Sequence, residues 1–416
     1  MTRRDTTSTG EPRADYLPRP PTVGDDPRDQ KDTNDPPGKV RFRDLDEAVI
    51  EADRCIQCGS CVAACPSGSL GVDEIDGRPT LVKMCTGCSR CWDFCPRSGL
   101  RYERAVAERD HERSASTYAV RAADGSITGA GQDGGAVTAL LAGLLEAGGV
   151  DGAVVARERE DEPLAGEATL ATSREELIEA AGSVFSQTMQ LGELDRLLAE
   201  SALEDPDLAL VGTPCVIQGA TALQSFGREG ELADVTLTIA LFCTRNFEHD
   251  RLASLLVERG VDPGAVDRLD VAEGTLFAYG TGGEQLLATD VEAFEAAGLS
   301  GCAECADFTG RGADISAGNV ASPDGATTFV VRGERGAEAL DLASGALDAE
   351  DLDDVSTLEN LAGWNERRAR EILPRGFDPE GELTIGYRQH RRHYDGTDRE
   401  PRPHNPARVY QYERWC

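Results

Sequence analysis

The chain has 416 residues with 75 acidic against 42 basic side chains, a formal net charge of −33, and 13 cysteines. No basic patch is present to displace phosphate counterions, which excludes nucleic-acid binding, and no run of about eighteen apolar residues offers a spanning helix. Lysine occurs only at Lys31, Lys39 and Lys83; acid excess with so little lysine suits solubility in concentrated salt, where screening removes self-repulsion, and points to the cytoplasm of a salt-loving archaeon.

Residues 1–40 carry Pro18, Pro20, Pro21, Pro27, Pro36 and Pro37 among Asp, Arg and Thr and read as a disordered lead-in. Thr2-Arg3-Arg4 is followed by no apolar stretch, so neither a signal peptide nor a twin-arginine leader is expected and the protein is expected to be soluble and intracellular. In a reducing compartment the cysteines then point to metal ligands rather than disulfides.

Residues 41–110 form the first expected domain. Its core signal is a duplicated motif, Cys55-Ile-Gln-Cys58-Gly-Ser-Cys61-Val-Ala-Ala-Cys65-Pro66 and Cys85-Thr-Gly-Cys88-Ser-Arg-Cys91-Trp-Asp-Phe-Cys95-Pro96. Both copies read C-x2-C-x2-C-x3-C-P, the bacterial-ferredoxin spacing for two 4Fe-4S clusters. Three closely spaced cysteines serve one cubane and the fourth serves the other. Cys55, Cys58, Cys61 and Cys95 are therefore expected to hold one cluster, and Cys85, Cys88, Cys91 and Cys65 the second. An amphipathic helix through Leu45, Ala48, Val49 and Ala52 is expected before the first copy, and a hairpin turning at Asp76-Gly77 between the copies.

From Tyr118 the pattern alternates helix and strand, the signature of a mixed α/β body spanning 115–375. Ala136–Ala147 reads as an apolar helix stopped by Gly148-Gly149, with strands at 152–156, 208–212 and 235–242 and helices at 174–181 and 191–203. Residues 269–289 alternate like short antiparallel strands, 327–332 reads as a strand, and 350–373 as helical. Residues 376–416, rich in Arg, His and Tyr with Tyr410, Tyr412 and Trp415 near the end, read as a docking extension with little core. The fold class is thus α+β and α/β, a small ferredoxin domain fused to a larger mixed α/β domain.

Five cysteines remain. Cys215 and Cys243 follow strands, where ligands of open α/β sheets collect, Cys302 and Cys305 form C-x2-C, and Cys416 reads as a free terminal thiol. The first four could converge on a third cluster, while two buried apolar thiols and a zinc pair remain the alternative. Gly129-Ala-Gly131-Gln132-Asp133-Gly134-Gly135-Ala136-Val137-Thr138 is a glycine-rich loop opening a helix, a place that suits a phosphate or pyrophosphate and equally a plain turn. No residue stands out as a general acid or base, and His249 reads as a surface-helix histidine.

Taken together, the landmarks of the body resemble a known family. Gly134-Gly-Ala-Val-Thr-Ala-Leu-Leu141, Gly212-Thr-Pro-Cys215, Leu241-Phe-Cys243, Cys302-Ala-Glu-Cys-Ala-Asp307, Ala313-Asp-Ile-Ser-Ala-Gly318 and Val330-Val-Arg-Gly-Glu-Arg-Gly336 fall in the order of the coenzyme F420 hydrogenase/dehydrogenase beta-subunit family. With the ferredoxin module in front, the layout is similar to F420H2 dehydrogenase input subunits and hydroxymethyl-chlorophyll reductases. The resemblance implies a body that binds FAD, exchanges hydride with coenzyme F420 in either direction, and passes single electrons through the clusters. It implies Gly134, Gly135, Thr138, Gly212, Thr213 and Pro214 as flavin contacts, with Ser316 and Gly318 as further candidates. Members often carry Ser-Lys-Tyr where this chain has Ser183-Val184-Phe185, so a cation is missing there; Ser183 and Gln187 remain as polar contacts. A ferredoxin-dependent FAD reductase of another organic substrate, and a non-catalytic electron-transfer subunit of a hydrogenase, formate dehydrogenase or respiratory complex, are the alternatives. A redox partner protein or ferredoxin is expected in each case, and association with a membrane complex stays open.

Overall fold

The computed structural model describes residues 40–73, 76–101, 103–104, 106, 115–373 and 382–405. The expectations for 1–39, Tyr410, Tyr412, Trp415 and Cys416 lie outside the described residues. Among those described, no helix is long and apolar enough to cross a membrane.

The first module contains α1 (Phe42–Leu45), which runs on into a π-helical turn at Asp46–Ile50. Two further one-turn helices follow, α2 (Ser60–Ala63) and α3 (Arg90–Asp93), with the hairpin β1 (Leu70–Val72) and β2 (Pro79–Leu81) between them. Both copies of the cysteine motif turn in the same way. The residue after the second cysteine is left-handed in each, Gly59 at φ +82° and Ser89 at φ +74°, which swings the third cysteine onto a helical turn. Ser89 is held there by its hydroxyl, which accepts from the Val40 amide at 3.0 Å. Gly59 admits no substituent, because a Cβ would lie 2.3 Å from the amide nitrogen of Gly192. That backbone-to-backbone approach seats the module on the body.

The strands of the body are β3 (Ala115–Ala122), β4 (Gly152–Glu158), β5 (Gly166–Ala171), β6 (Leu208–Gly212), β7 (Val235–Leu241), β8 (Arg268–Ala272), β9 (Thr275–Tyr279), β10 (Gln285–Asp290), β11 (Ile315–Gly318), β12 (Thr327–Arg332) and β13 (Leu347–Asp351). Eight of them form one sheet in the order β13-β3-β12-β11-β7-β6-β4-β5, while β8, β9 and β10 form a separate antiparallel meander. The central strands β11, β7, β6 and β4 are parallel, so their carboxyl ends share one edge. Helices α4 (Gly125–Ala130), α5 (Ala136–Ala147), α6 (Arg174–Glu179), α7 (Gln190–Glu200), α8 (Pro214–Phe226), α9 (His249–Glu258), α10 (Gly333–Leu342) and α11 (Ser356–Ile372) complete the body, with α9 packed against the β8–β10 meander. Alternation along β6 assigns its faces. Ala209 and Val211 pack in the cluster that contains Leu140 and Leu144 of α5, whereas Leu208 and Leu210 pack in the one with Leu191 of α7 and Val216 of α8. Burial on both faces is why these strands read as unbroken apolar runs.

Three expectations are corrected. Residues 350–351 belong to β13 and the helix starts only at Ser356. The helix before Cys55 is not amphipathic, since all of Asp46–Ile50 is buried. Asp46 pairs with His404 at 2.6 Å and Glu47 accepts from the Tyr387 hydroxyl at 3.2 Å, so the C-terminal extension covers the face expected to be wet. The extension itself, far from having little core, forms α12 (Tyr387–Tyr394) with Tyr387, His390 and Tyr394 buried. Trp92 donates its indole N–H to the Ile385 carbonyl at 2.9 Å and meets Tyr387 and His390 edge-on. Aromatic rings supply apolar faces together with polar tips, and those of Trp92 and Tyr387 find partners here.

Arg54 joins module, body and extension. Its Nε and Nη2 donate to the two carboxylate oxygens of Glu304 at 2.7 Å each. Its Nη1 donates to the Ala48 carbonyl at 3.0 Å and meets His390 Nε2 at 2.9 Å, and its guanidinium lies 4.3 Å from the Tyr394 ring centre. Burial alone would raise the Glu304 carboxyl, but the charge and hydrogen bonds of Arg54, with Arg97 and Arg399 behind them, outweigh it and leave the group below its ordinary value. Replacing Glu304 by Ala strands a buried guanidinium and is expected to cost about 3–5 kcal/mol. The double change Arg54→Met with Glu304→Leu removes both charges and is expected to recover most of that loss in denaturant unfolding at neutral pH. Because the folded carboxyl titrates below 4.5, its stabilisation is complete above that pH and is lost as pH falls through the lower folded value. Glu304→Ala should lack this acid-sensitive component.

Candidate functional site

A cleft of about 1030 Å³, its open mouth included, lies along the carboxyl edge of the parallel strands. Val155 and Ala156 of β4, Gly212 and Thr213 after β6, Leu241 of β7 and Gly318 of β11 form its floor. One wall is the glycine-rich loop. Asp133, Gly134 and Gly135 are successively left-handed, at φ 47°, 85° and 67°, and deliver the chain into α5, whose N-cap Gly135 brings no side-chain oxygen to the first-turn amides. Such amides, together with the helix dipole, favour an anion. The opposite wall is segment 180–190.

Three buried polar atoms on these walls lack a protein partner among the described residues, namely Gln132 Oε1, Thr188 Oγ1 and Gln190 Oε1. Buried groups of this kind are normally satisfied, so the lining fits a bound molecule rich in donors and acceptors, as a flavin is. Among the described residues no Lys or Arg lines the cleft, and Asp133 is its one carboxylate. Burial and then the nearby Asp270 charge push the Asp133 carboxyl up, against the pull of Arg268. Past Gln132 and Ser183 the cleft continues into a second hollow that reaches Arg268 and Tyr279.

Of the residues expected from sequence, Gly135, Thr138, Ser183, Gln187, Gly212, Thr213 and Gly318 line the cleft. Gly134 and Pro214 are adjacent in sequence to lining residues. Ser316 is engaged elsewhere, its buried hydroxyl taken up by Arg332 and the Gly310 carbonyl. Sequence reading passed over Thr188, Gln190, Asn246 and Thr327, lone polar residues with no motif around them.

The ferredoxin cysteines influence one another across the two runs. Cys61 is raised well above the usual thiol range by burial and then by Cys95, Cys55 and Cys58; burial, more than its neighbours, pushes Cys55 up to about 12. Cys91 is raised by burial and then by Cys85, Cys88 and Cys65. The last cysteine of each run therefore lies with the other run's first three. Cys65, Cys85, Cys88 and Cys91 surround a hollow of about 290 Å³.

In the body, Cys215, Cys243, Cys302 and Cys305 also converge. Cys243 is raised by burial and then by Cys302, Cys215 and Cys305, and Cys215 by burial and then by Cys58 of the module. Of the four, Cys215 and Cys302 are buried and Cys243 and Cys305 partly so. Two of them touch the cleft wall. Gln187 Nε2 approaches Cys215 Sγ at 3.4 Å and Thr213 Oγ1 at 3.3 Å, and Cys243 Sγ donates to Asn246 Oδ1 at 3.5 Å. Helix α11 lies across the same set, with Asn365 donating to the Cys305 carbonyl at 3.0 Å and Arg368 to that of Cys302 at 3.3 Å. The helix was expected from sequence, but no motif marked these two residues.

Residues 117–194 and 205–355 match the N- and C-terminal parts described as coenzyme F420 hydrogenase/dehydrogenase, beta subunit, and residues 48–100 match a 4Fe-4S dicluster domain. Among relatives, a coenzyme F420-dependent sulfite reductase from Methanocaldococcus jannaschii is 33% identical over 75% of this chain, which spans 49% of that relative's length. A coenzyme F420 hydrogenase subunit beta from Methanococcus voltae is 31% identical over 58% of this chain and 85% of its own. In structure, a chain from the F420-reducing NiFe hydrogenase complex of Methanosarcina barkeri aligns with TM-score 0.58 at 26% identity, covering 63% of this chain and 91% of that one.

The clamped loop makes a steric prediction. A Cβ on Gly134 would lie 2.5 Å from the Gly325 carbonyl oxygen, whereas one on Gly148, also left-handed, meets nothing within 4 Å. Gly148→Ala should cost only the left-handed strain, about 1–2 kcal/mol. Gly134→Ala should cost clearly more in the same denaturant unfolding assay, and equal losses would mean that the loop is free to shift.

Proposed function

The chain belongs to the coenzyme F420 hydrogenase/dehydrogenase beta-subunit family, and we propose that it is an FAD and iron-sulfur oxidoreductase that exchanges hydride with coenzyme F420 and single electrons with a partner protein. The observation that carries this reading is the direct contact between cleft and thiols, where Gln187 lines the one and reaches Cys215 of the other. A flavin accepts two electrons as hydride and releases them singly, and 4Fe-4S clusters carry one at a time.

In this reading the residues divide the work. The first turn of α5, with Gly135 and Thr138, receives the anionic part of the cofactor, while Gly212, Thr213 and Gly318 let it approach the strand ends. Ser183, Gln187, Gln132, Thr188 and Gln190 hydrogen-bond and orient it, and Val155, Leu177 and Leu241 keep water from its apolar ring. Cys215, Cys243, Cys302 and Cys305 hold a body cluster, Cys55, Cys58, Cys61 and Cys95 the next, and Cys65, Cys85, Cys88 and Cys91 the outermost. Neighbouring sets feel one another electrostatically, Cys58 acting on Cys215 and Cys91 on Cys61. Cys88 is exposed, which leaves the outermost set at the surface where a partner protein docks. Sulfite reduction is not carried over, since this chain spans 49% of that relative.

The structurally similar chain comes from a hydrogenase complex, and this favours a second reading in which the present chain works as a subunit beside a partner that owns the substrate site. Anaerobic purification, reconstitution with iron and sulfide, and assay separate the two. The first reading expects bound flavin, about twelve irons per chain, and oxidation of reduced coenzyme F420 by the isolated chain with a dye acceptor, faster than any reaction driven by reduced ferredoxin. Cys215→Ser is expected to remove about four of those irons and to break electron delivery to the dye. Protein without flavin that leaves reduced coenzyme F420 untouched would overturn it, and activity found only in a copurified complex would favour the second.

A further inference from the structure

Arg97 lies two residues beyond Cys95 and is only 2% exposed. Its Nε donates to the Gly301 carbonyl at 2.7 Å and its Nη1 to the Pro96 carbonyl at 3.1 Å. One carbonyl precedes Cys302 and the other follows Cys95, so a single guanidinium ties a cysteine of the ferredoxin module to the thiol set of the body. Its Nη2 is buried and has no protein partner among the described residues.

A buried cation with a spare donor is costly unless something answers both its charge and its N–H. Glu304 acts on its charge but makes no hydrogen bond to this N–H, its carboxylate being directed at Arg54 and Arg399. The other groups acting on Arg97 are Cys305, Cys302 and Cys215, and Arg97 in turn acts on Cys58 of the module. Arg368 makes a useful contrast. It too has a buried, unpartnered nitrogen and feels Cys305, Cys302 and Cys243, but, unlike Arg97, it is not among the leading influences on Cys58. Arg97 is a buried cation that stands between the two sets.

We propose that Arg97 is a positioning residue for electron transfer between module and body, its free Nη2 donating to sulfur of the cluster on Cys215, Cys243, Cys302 and Cys305 and its charge raising the potentials of that cluster and of the one on Cys55, Cys58, Cys61 and Cys95. This rests on the reading that the four body cysteines hold a cluster. The physical basis is that a fixed positive charge and a hydrogen bond to sulfur both favour the reduced, more negative form.

The test is a redox titration followed by electron paramagnetic resonance on anaerobically reconstituted full-length chain, with iron counted first and Cys215→Ser used to identify the body signal. Arg97→Gln is expected to keep the wild-type iron content and to lower two of the three midpoint potentials, leaving the cluster on Cys65, Cys85, Cys88 and Cys91 unmoved. Arg97→Lys, which keeps the charge, is expected to stay closer to wild type. Full iron with unchanged potentials in Arg97→Gln, or an equal shift of all three, would overturn the proposal. Should Arg97→Gln fail to load, pulsed resonance on chain labelled with 15N-arginine decides: a nitrogen coupling in the body signal that Arg97→Lys abolishes supports it, and a coupling identical in both sinks it. Wild type with about eight irons would instead mean that the body holds no cluster, a separate failure of the underlying reading.

Discussion

The bidentate pair of Arg54 with Glu304 is the contact on which the arrangement of the thiols depends. Glu304 sits between Cys302 and Cys305, and Arg54 immediately precedes Cys55. Two 2.7 Å hydrogen bonds between fully buried partners therefore fix the start of the first ferredoxin run against the body's C-x2-C. A pair of this kind contributes little net stability compared with apolar side chains of the same volume, because both charges are desolvated. What it supplies is register. A slide of the module along the body would separate two matched forks, and among the described residues no other carboxylate is paired with Arg54.

The C-terminal extension completes that arrangement. Tyr394 lies under the Arg54 guanidinium, His390 meets its Nη1, and Arg399 shares the Glu304 carboxylate. The ferredoxin fold alone is too small to bury such a pair. Residues from the far end of the sequence, with β3 to α11 between, make up the missing wall. The module and the body are in that sense one folding problem rather than two beads on a linker, and the close Gly59–Gly192 approach belongs to the same joint.

Much of the body was legible because burial on both faces of a parallel sheet writes strands as continuous apolar runs, as in β6 and β7, and because Gly148-Gly149 ends α5 with a left-handed cap. The dicluster character of the module was legible for the same kind of reason, a local cysteine spacing repeated twice. What escaped was tertiary. Helix α8 begins at Pro214 inside a motif read for its chemistry, and α10 is diluted by Gly333 and Gly336. The extension was misjudged because Arg, His and Tyr look wet in sequence, although their rings and stems bury well once the polar tips are matched. Several motif residues line the cleft, though Ser316, Gly134 and Pro214 do not, whereas Thr188, Gln190 and Asn246 become meaningful only when the strand ends bring them together. Arg97 has no sequence signal, since a lone arginine after Cys-Pro is unremarkable until Gly301 arrives opposite it.

Charge is distributed here in a way that concentrated salt would sharpen. Most of the net −33 must lie where water and ions reach it, and screening over a few ångströms at molar ionic strength removes most of its influence on the interior. Arg54, Arg97 and Arg101 are all nearly inaccessible and are screened far less. The field felt by the thiols is then set by a few buried arginines rather than by the acidic surface. The cleft stands at the other extreme, with no cation in its described lining, so an anionic ligand there depends on the α5 amides and on hydrogen bonds, whose strength falls less with added salt than that of an exposed ion pair. The buried arginines and the α5 amides thus exert influences that salt leaves largely intact, whereas charged contacts at the exposed surface are open to it.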